Sequence, residues 1–517
     1  MATIDLKTQK YDRQLRLWAS TGQQALELAN ICLLNANSTG CEIIKNLVLP
    51  GVGHVTIVDN ARVTKEDIRS NFFLDAESAG QSKAKSAAEL LQELNEDAAV
   101  NYVEKDPNQL IESQPDFFNS FTMVLAVNLH ATSLQKLASI CHSANKILIT
   151  VKCKGLLGTF TIQSPEHTVI ETHPENVADL RLSCPFQQLA DYVDKFDLDG
   201  LDQTDHGHVP FVVVLLKYAK AYQDAHNGKA PQTYQERQEL IKMLRENMRT
   251  PDEENFEEAI ANVWRLASSS NVSSEVRQIF EDVSCQEIHG GSSYFWVLTR
   301  AVRDFMENEG GGQLPLSGKL PDMKSDTVNY IQLQNVYRAK ALSDLNAVRQ
   351  RVQQLAEGFD MTISDESIET FCKNAANIRV IKYKQMFKES KEVQLLKNDE
   401  NFAYHFVFEA SDLFQSEYHR LPAFDEDVES LKHQVQLLLQ RRNVPVEQID
   451  EVMTGDFMYK AILNYVHFGD LEAPNLAALL GGLVAQEAIK LITHQYIPIN
   501  NTCVFNGITS TSSVFQL

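Results

Sequence analysis

The sequence predicts an α/β protein in which a doubly wound, mainly parallel sheet carries a large inserted helical domain. Over residues 1–167, short apolar runs alternate with helical patterns, which is typical of strands separated by helices. Residues 168–468 are dominated by amphipathic runs of helix length, and residues 469–517 return to the opening pattern. The tail is therefore expected to rejoin the first domain, so that the helical middle is an insertion.

Each element of the first domain follows from its local pattern. A short run of apolar or β-branched residues predicts a strand, and a longer run with apolar residues three and four apart predicts a helix. The candidate strands are Ile31–Leu34, Val55–Val58, Asn101–Val103, Met123–Val127, Ile147–Val151 and Thr159–Ile162. The candidate helices are Cys41–Leu49, Ala84–Leu94 and Ser133–Ala144.

The later regions are interpreted in the same way. A Gly- and Pro-rich loop, Glu309–Pro321, interrupts the helical middle. In the tail, Ala473–Thr493 predicts a long apolar helix and Tyr496–Phe505 a closing strand. Gly481 and Gly482, at the centre of that helix, indicate close approach to another element. The helical runs of the middle are Phe211–Ala225, Tyr234–Met248, Phe256–Ala267, Tyr294–Asn308, Tyr330–Glu357 and Val428–Gln440.

The first strand–helix–strand unit has the pattern of a dinucleotide-binding site except at two glycine positions. In the Gly-x-Gly-x-x-Gly register these positions hold Asn35, Asn37 and Gly40, and Asp59 follows the second strand, where a ribose-binding acid belongs. A side chain at the second position occupies the space of a phosphate, so we expect the fold without the ligand. The alternative is a working dinucleotide site, as in an oxidoreductase, because Asn adopts left-handed conformations.

Composition argues against several classes of protein. The 517-residue chain has a net charge of −22 that is spread along its length, which disfavours binding to a nucleic-acid backbone. Its eight cysteines form no Cys-x-x-Cys pair, which excludes the usual zinc ribbons, and we expect no metal site. The first residues lack an apolar signal core, and no stretch approaches the length of a membrane span. We therefore expect an intracellular, soluble protein, cytoplasmic or nuclear, that binds neither nucleic acid nor membrane.

Four short motifs, in order along the chain, carry a family resemblance. They are Tyr-Asp-Arg-Gln-Leu-Arg at 11–16, Lys-Asn-Leu-Val-Leu-Pro-Gly-Val-Gly at 45–53, Gly-Gln-Ser-Lys-Ala at 80–84, and the tail segment 481–490 with Gly-Gly, Ala-Gln-Glu and Lys. Together they resemble the adenylation half of ubiquitin-like-modifier activating enzymes. The resemblance implies a Rossmann-like adenylation fold of the ThiF type.

Departures from the family pattern imply that this adenylation half is inactive. Active halves carry Ser-Asn-x-Asn-Arg-Gln after the second strand, whereas here the last three positions hold Phe73, Leu74 and Asp75. They also place a metal-binding Asp at the end of a later strand, where this chain has Asn128. Phosphoryl chemistry needs donors and a metal around the phosphates. The resemblance therefore implies that this chain binds no cofactor and that ATP and Mg²⁺ bind in a partner subunit.

The inserted domain is expected to lack a catalytic cysteine. The thioester-forming Cys of these enzymes is typically followed by Thr, and none of the eight cysteines here precedes Thr. Cys184, before Pro185, is the one cysteine in a plausible loop. An ordinary thiol is the favoured interpretation of Cys184.

Two segments in the middle of the chain indicate which members of the activating-enzyme family this chain resembles. Segments 314–323 and 330–341 closely resemble regulatory subunits, of the amyloid-precursor-binding-protein type, of the activating enzymes for Nedd-type modifiers. This implies an obligate heterodimer with a catalytic, Uba-type subunit, which adenylates the modifier's carboxyl-terminal Gly and passes the modifier to a conjugating enzyme for transfer to cullins. The alternatives are a regulatory subunit for another ubiquitin-like modifier, and an interaction scaffold without a part in catalysis.

Arg13 is the one catalytic candidate that the resemblance implies. It matches the Arg that family members send across the dimer interface to the nucleotide in the partner's pocket, where a guanidinium stabilises phosphate charge. The alternative is a surface Arg paired with Asp12 or another nearby acid. Lys83 and Asp59 match nucleotide-binding positions of active halves, and we interpret both as relics that pair with each other.

Segment 321–334 is predicted to dock on the catalytic subunit. Ordering its Gly- and Pro-rich approach needs compensating contacts, and the apolar residues that follow are spaced three and four apart, on one helical face. The alternative is that this face packs inside the chain's own helical domain. The interface candidates are Pro321, Asp322, Met323, Tyr330, Leu333 and Gln334.

Overall fold

The computed structural model describes residues 6–174, 178–267, 272–359, 361–384 and 393–517, so residues 1–5 of the predicted first domain lie outside the described range. The chain divides into two units. Unit 1 comprises Met1–His167 and Val380–Leu517, and unit 2 comprises Thr168–Arg379.

Unit 1 is built on an eight-stranded sheet with the strand order β10-β9-β6-β5-β4-β1-β2-β3. Strands β1 to β5 pair in parallel, and β6, β9 and β10 pair antiparallel. The predicted doubly wound, mainly parallel sheet is therefore confirmed. The strands of this sheet are β1 Asn30–Leu34, β2 His54–Val58, β3 Ala99–Val103, β4 Met123–Val127, β5 Ile147–Lys154, β6 Leu157–Gln163, β9 Thr502–Asn506 and β10 Thr511–Phe515. Two further strands, β7 His167–Val169 and β8 Arg379–Ile381, form a separate two-stranded sheet.

Helices connect the strands of unit 1 and fill unit 2. The helices in the amino-terminal part of unit 1 are α1 Leu6–Lys10, α2 Asp12–Leu28, α3 Ser38–Val48, α4 Lys65–Ser70, α5 Lys83–Gln92, α6 Pro107–Ser113 and α7 Ala131–Ser143. Unit 2 contains α8 Gln187–Asp194, α9 Gln203–His206, α10 Phe211–Ala225, α11 Tyr234–Glu246, α12 Glu254–Ala261, α13 Ser274–Glu281, α14 Val283–Gln286, α15 Tyr294–Glu307, α16 Thr327–Ala356 and α17 Asp365–Asn374. Unit 1 resumes with α18 Val393–Asn398, α19 Glu400–Tyr418, α20 Asp427–Arg441, α21 Val446–Thr454, α22 Asp456–His467 and α23 Pro474–Thr493.

Helix α23 packs against α3 through Gly481, as the small residues at its centre predict. A Cβ at Gly481 would lie 2.7 Å from the Cβ of Glu42 and 2.9 Å from its carbonyl carbon, so only glycine permits this approach. On the sheet side, Leu480 lies against Gly158 of β6. Gly482 has open space around its Cβ position and takes no part in the contact.

The expectation that no stretch approaches a membrane span is wrong for α23. Among the described helices, α23 is 20 residues long and has a mean hydropathy of 1.5 in its most apolar window, enough to span a membrane by length and composition. Its two charged residues, Glu487 and Lys490, form an ion pair of 2.7 Å. Because α23 packs between α3 and the sheet, its apolar composition is that of a core helix.

The predicted end of the inserted domain at residue 468 is wrong. Residues 380–468 belong to unit 1, because α19 packs on β9 and β10 and the helices α20 to α22 pack with α19 rather than in a separate domain. Phe402 of α19, for example, stacks edge-on against Phe515 of β10, with ring centroids 5.0 Å apart. An amphipathic pattern predicts a helix and its apolar face, but it does not indicate which surface that face will cover.

The closing strand is also shorter than predicted. Tyr496 has a positive φ of 58°, so it is not in an extended conformation. The chain enters β9 only at Thr502. A further strand, β10, follows and was not predicted, because its Thr-Ser-Ser-Val-Phe sequence lacks an apolar run. It pairs antiparallel with β9 at the sheet edge.

A buried histidine should make unit 1 sensitive to acid. The ring of His167 stacks on that of His494 with centroids 4.6 Å apart. Burial, and then the neighbouring His494, lower the pKa of His167 to about 3. The unfolded chain takes up this proton near pH 6.5, whereas the folded chain resists it. The stability contributed by the neutral ring is therefore complete above about pH 6.5 and is lost as the pH falls towards about 3.

We expect the His167→Gln variant to lose less stability on acidification than the unaltered chain. At about pH 5 the difference should be about 2 kcal/mol in the free energy of unfolding, relative to its value at about pH 7.5. Urea titrations at the two pH values measure this difference. His142→Gln, at an exposed position of α7, is the matched control. An equal acid response in both variants would contradict the assignment to His167.

Candidate functional site

In the turn between β1 and α3, an asparagine adopts a backbone conformation that is usual for glycine. Asn35 has a φ of 74°, in the left-handed region that favours glycine. Its Nδ2 donates a hydrogen bond of 2.7 Å to the carbonyl oxygen of Val127, at the end of β4. Asn35 therefore adopts the conformation that the dinucleotide alternative requires. Its side chain, however, is hydrogen-bonded to the end of β4.

Asn37 caps helix α3. Its φ is −78°, and its Oδ1 accepts a hydrogen bond of 2.9 Å from the backbone N–H of Gly40. A Cβ at Gly40 would lie 2.7 Å from the carbonyl oxygen of Asn35, so Gly40 permits the close strand–helix packing that the sequence predicts. The second glycine position thus serves the helix instead of a phosphate.

The amino terminus of α3 holds a carboxylate of the same chain. Glu472 accepts hydrogen bonds from the backbone N–H of Ser38 (3.2 Å) and of Thr39 (2.9 Å), and also from the Thr39 hydroxyl. Burial raises the pKa of Glu472, and the hydrogen bonds from Thr39 and Ser38 oppose this shift. Helix amino termini attract anions, and in nucleotide-binding folds the anion is a phosphate. Here an internal carboxylate takes that place. No sequence signal indicated Glu472, because it lies 434 residues away from Ser38.

The predicted ion pair between Asp59 and Lys83 is wrong. The buried Asp59 carboxylate accepts 2.8 Å hydrogen bonds from the backbone N–H groups of Ala36 and Ala61. Lys83 Nζ instead lies 2.7 Å from Oδ1 of Asp67. Burial raises the pKa of Asp67, but the hydrogen bonds from Lys83 and Thr64 outweigh it and hold this pKa below its usual range. Asp59 and Lys83 are therefore each satisfied by a different partner.

The positions of the missing nucleotide donors are used for packing. Phe73 and Leu74 are buried in the core of unit 1. Phe72 is 86% exposed and meets the ring of Phe73 edge-on. Asp75 caps a short 3₁₀ helix by accepting a hydrogen bond from the backbone N–H of Ser78.

The end of β4 also lacks a carboxylate. Asn128 has a φ of 45° and donates a hydrogen bond of 3.3 Å to the carbonyl oxygen of Cys153. In the described ranges, no group of His, Cys, Asp and Glu is arranged to hold a metal ion. The pocket of an active half would need both a metal ligand and phosphate donors here.

Arg13 is exposed on the first turn of α2. The neighbouring Asp12 pairs with Arg16 at 2.9 Å, so the predicted alternative of an Asp12–Arg13 pair is wrong. Among the residues that the structure describes, Arg13 has no hydrogen bond or ion pair. Its guanidinium is therefore presented to solvent.

Cys184 is the exposed cysteine of the chain. Burial raises the pKa values of the other seven cysteines, at positions 32, 41, 141, 153, 285, 372 and 503. A nucleophilic cysteine needs an exposed thiolate, so those seven are unsuited to carry an acyl group.

The predicted docking segment is divided between core and surface. Leu333 is wrong as an interface residue, because it is fully buried in the core of unit 2 together with Tyr337, whose hydroxyl donates a 2.6 Å hydrogen bond to the carbonyl oxygen of Leu180. Met323 packs against the same core. The helical face marked by the apolar spacing thus packs inside its own unit. Asp322 is exposed, and Pro321, Tyr330 and Gln334 are partly exposed.

The chain is similar to known proteins over nearly its whole length. The model of the ThiF family matches residues 11–517. The NEDD8-activating enzyme E1 regulatory subunits of Danio rerio and Xenopus laevis are 39% and 40% identical to this chain, and each alignment covers 99% of both chains. The NEDD8-activating enzyme E1 regulatory subunit AXL of Arabidopsis thaliana is 39% identical, over 98% of this chain and 99% of its own.

A match over nearly the whole chain defines the class, and this protein belongs to the ThiF family. Within the class, full-length identity of about 39% to these relatives places the chain in the family of NEDD8-activating enzyme E1 regulatory subunits. The resemblance carried by the sequence motifs is confirmed, and the chain has a regulatory role.

Proposed function

We propose that this chain is the non-catalytic half of a heterodimer that activates a NEDD8-type ubiquitin-like modifier. A regulatory subunit works with a separate catalytic subunit, and the names of the relatives support this assignment. In the proposal, the Uba-type catalytic subunit holds ATP and Mg²⁺, adenylates the modifier's carboxyl-terminal Gly and captures the acyl group on its own cysteine. The modifier then passes to a conjugating enzyme, in the cytoplasm or nucleus.

The occupied amino terminus of α3 is the observation that carries this proposal. Glu472 lies with Oε1 2.9 Å from the backbone nitrogen of Thr39, so a phosphate at the same place would meet a negative charge instead of free donors. Phe73 and Leu74, which stand where active halves carry Asn and Arg, offer no side-chain donor. Both features support a chain that leaves ATP to its partner.

The isolated chain should therefore show no micromolar binding of Mg-ATP. Isothermal titration calorimetry on the purified chain measures this, and the same titration with NAD tests the dinucleotide alternative. The reconstituted heterodimer serves as the positive control for ATP. Micromolar affinity of the isolated chain for ATP or NAD would overturn the proposal.

Surface residues of both units complete the proposal. Arg13 contributes a guanidinium to the partner's ATP site, and its lack of an ion pair among the described residues leaves it available. On unit 2, the partly exposed Pro321, Tyr330 and Gln334, with the exposed Asp322, are the remaining candidates for contact with the catalytic subunit. Cys184 is an ordinary exposed thiol in this scheme.

A further inference from the structure

Arg13 lies on a short arm that is set off from the rest of α2. The helix breaks at Trp18 and Ala19, where Ala19 has φ and ψ of 56° and −176°. Residues 12–17 before the break are exposed or half-buried, and Leu17 is 49% exposed. Such a segment has little packing of its own, so its position depends on what holds its two ends.

A cluster of polar side chains holds the amino-terminal end of this arm. Tyr11 is only 3% exposed, and its hydroxyl donates a hydrogen bond of 2.9 Å to Oδ2 of Asp97 while accepting one of 3.0 Å from Nδ2 of Asn95. Lys10 Nζ donates to Oδ1 of Asn95 at 2.5 Å and to Oδ2 of Asp97 at 2.6 Å. We call Lys10, Tyr11, Asn95 and Asp97 the Tyr11 clamp.

The surroundings of the Tyr11 clamp allow little freedom. Asn95 is buried and also donates a 2.8 Å hydrogen bond to the carbonyl oxygen of Val48, at the end of α3. Gly51 has a φ of 92°, and a Cβ there would lie 2.9 Å from the Tyr11 hydroxyl oxygen. Hydrogen bonds from Lys10 and then Tyr11 hold the pKa of Asp97 below its usual range, so the carboxylate stays charged.

The carboxyl-terminal end of the arm is held separately at Trp18. Trp18 Nε1 donates a hydrogen bond of 3.2 Å to Oε1 of Gln23, and Gln23 Nε2 donates one of 3.1 Å to the carbonyl oxygen of Pro50. Gln495 Nε2 donates a 3.0 Å hydrogen bond to the carbonyl oxygen of Trp18. The arm is thus attached at both ends to the core of unit 1, with Arg13 between the attachments.

We infer that the Tyr11 clamp is a positioning device for Arg13: it fixes the backbone from which the guanidinium extends before the catalytic subunit presents its nucleotide. The inference rests on the proposed role of Arg13 in the partner's ATP site. A charged donor stabilises a transition state best when its position is fixed beforehand, since reorganisation at the moment of reaction is then avoided. Tyr11 itself is buried and does not touch the reacting atoms.

The test compares Tyr11→Phe with Arg13→Ala, singly and together, in the reconstituted heterodimer. ATP–pyrophosphate exchange measures adenylation. Tyr11→Phe should lower kcat by about tenfold, in line with small misplacements of a catalytic group, with little change in the KM for ATP. In the Arg13→Ala background, Tyr11→Phe should cause no further loss, because there is no guanidinium left to position. Tyr102→Phe, at an exposed position of β3, is the matched control and should leave the rate unchanged.

The outcomes separate the inference from the proposed function. An unchanged kcat for Tyr11→Phe, or an equal loss with and without Arg13, overturns the positioning role. If Arg13→Ala alone leaves adenylation unchanged, the proposed role of Arg13 fails, and the inference fails with it. Should Tyr11→Phe not fold, Asp97→Asn tests the same clamp from a partly exposed position and must show the same dependence on Arg13.

Discussion

Adenylation by the reconstituted heterodimer should slow by roughly 30- to 1000-fold when Arg13 is replaced by Ala, because losing one charged donor to a phosphate raises the barrier by about 2–4 kcal/mol. The heterodimer should remain intact by size-exclusion chromatography. The structure predicts little loss of stability, since Arg13 is exposed and forms no ion pair with any residue in the described ranges. The effect should appear in the pyrophosphate-exchange rate.

Arg16→Ala provides a matched control for this experiment. Arg16 lies one turn further along α2, is exposed and pairs with Asp12 at 2.9 Å. Arg16→Ala should have only a minor effect on the adenylation rate. It should also cost little stability, since exposed ion pairs contribute about 1 kcal/mol or less. Equal rates for Arg13→Ala and the unaltered heterodimer would make Arg13 an ordinary surface residue and favour the scaffold alternative.

The Glu472→Ala variant should lose about 2–3 kcal/mol of stability, because hydrogen bonds to a charged group contribute more than neutral ones. The backbone N–H groups of Ser38 and Thr39 would lose their acceptor at the start of α3. Urea titration of the isolated chain measures the change. Glu472→Gln, which keeps a carbonyl acceptor but no charge, should fall between Ala and the unaltered chain.

A result in which Glu472→Ala unfolds like the unaltered chain would show that the carboxylate contributes nothing to α3. Destabilisation by Gln as large as that by Ala would assign the whole effect to charge. Either of these two outcomes would contradict the graded order of stabilities that the hydrogen-bond geometry predicts. The graded order supports a carboxylate whose hydrogen bonds and charge both stabilise the amino terminus of α3.

Much of the first unit was predictable because its signals are local. The alternation of strands and helices, the cap at Asn37 and the need for glycine at position 40 all depend on residues close together in sequence. Helix α10 begins at Phe211 and ends at Ala225, as its apolar pattern predicts. The glycine at 481 correctly indicated the contact with α3. Such features are fixed by backbone sterics and by the period of the apolar residues.

Long-range pairings were not predictable in the same way. Lys83 is predicted to pair with Asp59, whereas in the structure it pairs with Asp67 at 2.7 Å. Leu333 was assigned to a partner surface, yet it is buried in unit 2. In each case several partners of the right chemistry exist in the sequence, and only the three-dimensional distances select one.

The sequence by itself determined the fold class, the loss of the nucleotide donors and the identity of the family, because these depend on residue types at fixed spacing. The tertiary structure decided what occupies the amino terminus of α3 and what holds the ends of the segment that carries Arg13. Glu472 reaches α3 from 434 residues away, and Tyr11 meets Asp97 across 86 residues. Contacts of this kind form when folding brings distant segments within hydrogen-bonding distance, and spacing along a chain carries no information about them.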